Sequence, residues 1–311
     1  MKYLVVGFGS IGSRHAQSLI SGGKDVYIFD PSDESYRQGL ERIQALPSVA
    51  KRITSLEQSA SLGIDRVVLS SSARERFSIF QKLVQLGIKN FLLEKIVFQS
   101  GEQFKQAIHL VEQKDIKTYC NFPNRYFPKY VNILNQGSVH NLRMSVVAGD
   151  IGMVTSAVHY MDLFEYLSGE KIQSSSGSLV RSPKDNKRGN HYQEYFGSMK
   201  FLTKSKQSLH LFFDSGHAAA PSIVLDADEI QLQISESSGR CVSVKENQYH
   251  WDEFEIIPNS RLTNQIFQDI QEEKCKLPSI IDVENIHRHI FHLISASEGK
   301  EFKEDTLFPI T

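Results

Sequence analysis

Cysteine is scarce in this chain. There are three in 311 residues, Cys120, Cys241 and Cys275, far apart and in no ligand pattern. An odd and scattered set argues against a disulfide framework and against a zinc site, so no metal is expected and a reducing compartment is. Long apolar runs are missing too, and no stretch approaches the roughly 18 residues of a membrane span. Net charge is −1 with a pI near 6.8, so no excess of either sign calls for nucleic acid or another polyanion. Met1-Lys2 and the apolar residues after them imitate a signal peptide, but Gly7, Gly9 and Gly12 interrupt the run and no small-residue cleavage site follows. A cytoplasmic protein with neither membrane nor nucleic-acid partner is therefore expected. No internal repeat is visible, and the serine-rich patch at 174–178 reads as a loop.

What is present is ordinary in bulk and specific at the start. Hydrophobic residues make up 40% and charged residues 23%, as in globular proteins, and the length favours two domains. Lys2-Tyr3-Leu4-Val5-Val6 runs straight into Gly7-Phe8-Gly9-Ser10-Ile11-Gly12, and Asp30 closes the next apolar run, Val26-Tyr27-Ile28-Phe29. A short strand, a Gly-x-Gly-x-x-Gly turn and a helix form a cradle for a pyrophosphate. The first glycine permits the turn, the second lets backbone approach the phosphates, and the third lets the helix pack on the strand with its amides facing the anion. Asp30 falls near the distance of about 20 residues past the glycines where an acid binds ribose hydroxyls. A carboxylate there repels a 2′-phosphate, so NAD (NADH) is expected over NADP. A glycine-rich turn that merely closes a βα unit is the alternative, and the acid at the next strand end argues against it.

Strand and helix signals alternate through the first 120 residues. Helix composition covers 34–46, a short strand 49–54, and Ser55 with Gln58 fits a capping box. Residues 66–69 form a buried-strand run, 73–86 a helix ended by Gly87, and 91–93 a strand. Ser100 with Gln103 can cap the next helix, and 117–122 supplies a sixth strand. This alternation predicts a Rossmann-type, doubly wound parallel sheet over residues 1–122. Beyond Pro123 the strands at 142–148, 192–202, 208–213, 223–225 and 230–235 arrive without helices between them. A helix covers 154–167, and 282–297 places apolar residues 283, 286, 290, 293 and 294 on one helical face. Residues 123–311 thus read as an α+β domain with an open, mostly antiparallel sheet. The basic, turn-rich segment 181–189 lacks apolar anchors and reads as a mobile loop.

Three further features bear on chemistry. Glu94-Lys95 follows a strand, at the end where open α/β sheets bind ligands. Asn124-Arg125-Tyr126-Phe127-Pro128 marks the crossing between domains. His159 and Asp162 share a helix face at i, i+3. With the opening glycines, Tyr166-Leu167-Ser168-Gly169 and Ser295-Ala296-Ser297-Glu298-Gly299-Lys300, these make the chain resemble the Gfo/Idh/MocA oxidoreductases over nearly its whole length. That family comprises NAD(P)-dependent dehydrogenases and reductases acting mainly on sugars, cyclitols and sugar derivatives. The resemblance implies cofactor contacts on Gly7, Gly9, Ser10, Ile11, Gly12, Asp30, Ser71 and Glu94. It makes Lys95 the electrostatic partner of the reacting oxygen and His159 the general acid/base, with Asp162 orienting the imidazole. Arg125 and Thr155 are expected to touch substrate. Plainer readings stand beside these: a surface Glu94–Lys95 pair, a His159–Asp162 pair serving the helix, and an Arg125 salt bridge linking the domains. The family also implies a homodimer or homotetramer through the second-domain sheet.

The departures from the family pattern fall on the chemical half. Ile96 stands where relatives have proline after Glu-Lys, and a cis bond before it costs about 2.5–4 kcal/mol against roughly 0.5–1 before proline, so a different path for the Lys95 loop is expected. Thr155 stands where many relatives have aspartate, and Ser71-Ser72…Arg76 replaces a Thr-Pro…His segment. The leading expectation is an NAD-dependent oxidoreductase acting on CH–OH groups of a sugar or nucleotide-sugar, in surface-polysaccharide synthesis. The segment 181–188 would close over the diphosphate or stay solvated. The alternatives are a non-catalytic NAD-sensing protein of the same fold and a reductase of a non-sugar substrate.

Overall fold

In a computed structural model, the described residues are 1–43, 50–137, 139–184, 186, 189–228, 230–245 and 248–311. They divide into two units, Met1–Pro123 with Ile257–Val283, and Asn124–Ile256 with Glu284–Thr311.

The first unit alternates strand and helix: β1 (Lys2–Val6), α1 (Ser10–Ser21), β2 (Asp25–Phe29), α2 (Asp33–Arg42), β3 (Lys51–Arg52), α3 (Gln58–Ser61), β4 (Arg66–Leu69), α4 (Ala73–Gln85), β5 (Asn90–Leu93), α5 (Gly101–Lys114) and β6 (Lys117–Cys120). The strands lie in the order β3-β2-β1-β4-β5-β6 and all pairs are parallel. This is the doubly wound order, whose sequence reverses direction beside β1. Continuous apolar strands follow from it, since a parallel sheet is covered on both faces: all four residues of β4 are buried. Ser100 Oγ accepts the Gln103 N–H at 3.2 Å, while Gln103 Oε1 takes the Gln99 N–H. At α3 half of the expected box forms: Gln58 Oε1 accepts the N–H groups of Ser55 and Thr54, while the helix begins after Glu57 without a side-chain cap. The expected end of the 34–46 helix and the start of the 49–54 strand lie outside the described residues.

The second unit holds α6 (Pro128–Asn135), β7 (Arg143–Ala148), α7 (Met153–Ser168), β8 (Ile172–Arg181), β9 (Tyr195–Thr203), β10 (Ser208–Phe213), β11 (Ser222–Ala227), β12 (Ile230–Ser235), β13 (Arg240–Lys245) and β14 (Gln248–Glu253). Its eight-stranded sheet has the order β14-β13-β12-β11-β7-β10-β9-β8, with only β7 and β10 parallel. One face carries Met144, Val146, Leu211, Phe213, Ile223 and Leu225, all buried, and Tyr160 of α7 packs edge-on to Phe213. The patch at 174–178 is not a loop but the middle of β8, paired with β9 from Ser174↔Leu202 to Ser178↔Ser198. Mostly exposed edge positions demand no apolar alternation, and the same holds for β14, whose six residues are all exposed.

Beyond the sheet come α8 (Asn259–Gln271) and α9 (Ile280–Ser297). The sequence reading assigns everything past residue 123 to the second domain, yet Ile257–Val283 joins the first unit. The cause is α8, whose buried Leu262, Ile266 and Phe267 belong to the first core. Phe267 meets Tyr3 of β1 edge-on at 5.1 Å, and its carbonyl accepts from Arg66 of β4 at 2.9 Å. Phe267→Ala is therefore expected to cost about 3–5 kcal/mol, as for other buried aromatics. A urea-unfolding series followed by circular dichroism checks this, and a loss under about 1 kcal/mol would show that α8 does not complete the first core.

Candidate functional site

The glycine turn of the first unit is built by close approach. Gly7 has φ +84°, and a Cβ there would lie 2.7 Å from the Ser71 nitrogen. A Cβ on Gly12 would run into the Gly7 carbonyl oxygen, so this glycine lets α1 start against β1. Gly9 differs: its backbone is ordinary (φ −69°) and a Cβ would meet nothing. The space above Gly9, at the unsatisfied amides of the first turn of α1 (Ser10, Ile11, Gly12), is open to an incoming group. Asp30 is buried at the end of β2. Its Oδ2 accepts the Phe8 N–H at 2.6 Å and its Oδ1 the Ser32 N–H at 2.8 Å, which ties the glycine turn to the loop after β2. Each carboxylate oxygen keeps a second lone pair for a hydroxyl donor. Across the turn, Ser71 Oγ is buried and has no hydrogen-bond partner among the described residues. Buried polar atoms are rarely left so without a ligand or water to meet them.

Lys95 follows β5 in a tightly held segment. The Lys95–Ile96 peptide is cis, although Ile96 is not proline. Ile96 is fully buried. Arg76, 1% exposed, donates to the carbonyls of Glu94 (2.6 Å), Ile96 and Ser71, strapping the Lys95 segment to the loop after β4. On the other side the Glu94 carboxylate enters a buried network. Its Oε1 lies 2.8 Å from His15 Nε2 and accepts from Asn121 Nδ2, while His15 Nδ1 lies 2.7 Å from Thr263 Oγ1 of α8. Burial pushes the Glu94 carboxyl up, but the His15 and Asn121 hydrogen bonds and the Arg76 charge outweigh it and hold the group at about 2. Glu94, expected at the cofactor, thus spends Oε1 on anchoring the segment that carries Lys95.

In the second unit, α7 carries Thr155, His159 and Asp162. Asp162 is fully buried and takes Arg125 in a two-pronged pair, Oδ2 accepting from Nε at 2.9 Å and Oδ1 from Nη2 at 2.7 Å. The carboxylate expected to orient His159 is therefore directed to Arg125. Both partners of this pair lie in the second unit. Arg125 also stacks on Tyr166 at 4.8 Å. Beside it, Asn124 and Tyr130 both donate to Glu236 Oε1, at 2.8 and 2.7 Å. His159 is half-buried, on the face of α7 that it shares with Thr155 at i, i+4. Thr155 donates to Glu194 Oε2 at 2.6 Å. Glu194 was not anticipated, because 39 residues separate it from Thr155 and no local pattern joins them. Separations of 18 and 27 residues from Glu94 likewise hide the roles of Arg76 and Asn121.

Burial raises the Asp162 carboxyl and Arg125 pulls it back, leaving it at about 6 against an ordinary 3.8. The pair is ionic at neutral pH. Without the guanidinium the folded carboxyl rises further, while the unfolded chain still ionises it near the ordinary value. Stability then falls as pH rises between those two values. Arg125→Met is expected to cost about 3–5 kcal/mol at pH 8, the range for breaking a buried pair, and distinctly less at pH 5. Urea unfolding at the two pH values decides it, since an equal loss at both would exclude a stranded carboxylate as the cause.

No protein-family model and no curated protein sequence matches the chain. Solved structures do. UDP-N-acetylglucosamine 3-dehydrogenase GnnA from Acidithiobacillus ferrooxidans aligns with TM-score 0.78 at 13% identity, over 96% of this chain and 98% of that one. Biliverdin reductase from Synechocystis sp. PCC 6803, in complex with biliverdin and NADP+, aligns with TM-score 0.73 at 12% identity, over 96% and 98%. An oxidoreductase from Agrobacterium radiobacter, in complex with NAD+, L-tartaric acid and magnesium, aligns with TM-score 0.75 at 10% identity, over 96% of each chain. At such identities the likeness is one of fold: a Rossmann-type unit and a mixed-sheet unit, shared over almost the full length with proteins named as oxidoreductases.

Proposed function

We propose that this chain is an NAD(H)-dependent oxidoreductase that moves hydride to or from a secondary alcohol or ketone carbon of a sugar or nucleotide-sugar, as surface-polysaccharide synthesis requires. The carrying observation is the cradle: open space over Gly9 at the start of α1, the buried and unpartnered Ser71 Oγ, and Asp30 at the end of β2. These residues fit a dinucleotide. The α1 amides would meet its pyrophosphate, and the Asp30 carboxylate would accept from ribose hydroxyls, which favours NAD over NADP. The nucleotide-sugar class is supported by the likeness to GnnA. The likeness to biliverdin reductase favours a second reading, a reductase of a conjugated non-sugar compound.

The nicotinamide, when bound, supplies or takes the hydride. The chain's own part is positioning and proton management. Lys95, fixed by the Arg76 strap and the Glu94 anchor, sets an ammonium against the oxygen that gains negative charge. His159 takes or gives the hydroxyl proton, a task suited to an imidazole near neutral pH. Asp162 acts one step back, holding Arg125 as a donor to a substrate oxygen.

Binding and turnover separate the parts of this reading. Gly9→Ala meets no protein atom, so it should leave the melting temperature unchanged while weakening NADH binding at least tenfold, measured by NADH fluorescence titration. Undiminished binding would refute the cradle. Hydride transfer is then followed with UDP-N-acetylglucosamine, other nucleotide-sugars, keto-sugars and biliverdin. Lys95→Ala and His159→Ala should each lower kcat by a hundredfold or more, the range for a positioned acid/base. Full turnover in both variants would remove these two residues from the mechanism.

The outer face of the eight-stranded sheet bears Val147, Phe212, Val224 and Trp251, all exposed. Register puts Phe212 beside Val147, and the next row joins Val224 through Gln233 and Val242 to Trp251. Four exposed apolar side chains set among polar ones such as Gln233 and Ser145 suit a second copy of the chain, and we assign the homo-oligomer interface to this face. Phe212→Glu should shift the mass in light scattering from oligomer to monomer. An unchanged mass would place the interface elsewhere.

A further inference from the structure

We propose that Glu194 is a positioning residue for substrate: it fixes the Thr155 hydroxyl as an obligatory acceptor, and so selects a substrate hydroxyl at the His159 face of α7. The inference rests on the sugar-type reading above and adds a residue to it.

Glu194 is held from several directions. Its Oε1 accepts the Val154 N–H at 2.9 Å, in the first turn of α7, and the Tyr195 N–H at 3.0 Å. Its own carbonyl accepts the Ser182 N–H at 2.8 Å, and the neighbouring Gln193 N–H donates to the Pro309 carbonyl. The helix N-terminus favours an anion there, so the carboxylate is well placed as an acceptor only. Gly152, with φ +78°, makes the approach possible, since a Cβ at that position would meet Oε2.

The consequence lies in one proton. A threonine hydroxyl has a single hydrogen and two lone pairs. Thr155 gives its hydrogen to Glu194 Oε2 at 2.6 Å, in preference to the Gly152 carbonyl at 3.5 Å. Any further hydrogen bond at that oxygen is one that it accepts, so a ligand group there must be a donor such as a sugar hydroxyl. The charge on Glu194 strengthens the chain, because a hydroxyl that donates to a carboxylate becomes a better acceptor. One turn on, His159 shares the same face of α7. A hydroxyl held by Thr155 is thereby presented on the side of the helix that carries the proposed proton carrier.

Glutamine at 194 discriminates this role from simple capping. Its carbonyl can still take the Val154 and Tyr195 amides, but its NH2 would donate to Thr155 and turn the threonine hydrogen outward. The test measures calorimetric affinity of the NAD+-saturated protein for UDP-N-acetylglucosamine, UDP-glucose and myo-inositol, with melting temperatures taken alongside. Glu194→Gln and Thr155→Val should each weaken the ligands that bind by tenfold or more without lowering the melting temperature, and Thr155→Ser should recover most of what Thr155→Val loses. Wild-type affinity in Thr155→Val or in Glu194→Gln overturns the proposal, as does failure of every hydroxylated ligand to bind the unmodified chain. Hydride transfer is recorded separately. Ligand binding that responds to these variants without any turnover would leave Glu194 in this role and sink the oxidoreductase reading. Turnover of a sugar with unaltered affinity in both variants would do the reverse.

Discussion

The first unit depends on one buried carboxylate. Glu94 leaves β5 with water almost excluded, and His15 from α1 and Asn121 from beyond β6 meet it there. A buried charge without such partners would be too costly to keep, so three elements are bound to a common point. Thr263 extends the network to α8 through the other imidazole nitrogen. The neighbouring backbone is held by Arg76, which satisfies carbonyls on both sides of Lys95. A long flexible lysine is thereby carried on a segment with little freedom. The role proposed for Lys95, against one oxygen atom, needs a base of that kind.

The second unit solves a similar problem with different groups. Asp162 is fully buried, and Arg125 meets it with parallel donors, the geometry in which guanidinium serves best. Glu194 reaches the start of the same helix from a segment far along the sequence. Both carboxylates fix donors on or beside α7 rather than pointing freely at solvent. The losses that the sequence displays at Ile96 and Thr155 thus look different in three dimensions. Ile96 is fully buried, and Thr155 stands against a carboxylate supplied from just before β9.

What could be read from sequence was local. Gly7-Phe8-Gly9-Ser10-Ile11-Gly12 and Asp30 carry their geometry within thirty residues, and the alternation of apolar strands with helices fixes the parallel order that follows. The apolar face of α9 was equally legible, and residues 283, 286, 290, 293 and 294 are all buried. Edge strands were not, because β14 and the serine stretch of β8 have little to bury and so show no period. The unit to which α8 belongs was hidden for another reason: an amphipathic helix states that it has a buried face but not what covers it. Pairings such as Thr155 with Glu194 and Arg76 with Glu94 and Ile96 depend on chain segments brought together only by the fold.

The return of Ile257–Val283 to the first unit has a consequence for synthesis. A ribosome adds about 5–20 residues each second, and domains usually fold as they emerge. Here the strands of the parallel sheet are all made by Cys120, but α8, with Phe267 and the Thr263 partner of His15, begins only at Asn259. For a time on the order of ten seconds the nascent first unit lacks one wall of its core while the whole eight-stranded sheet is produced. Its completion is therefore tied to translation of the second unit, and the glycine turn gains its finished surroundings late although its residues are the first to be made.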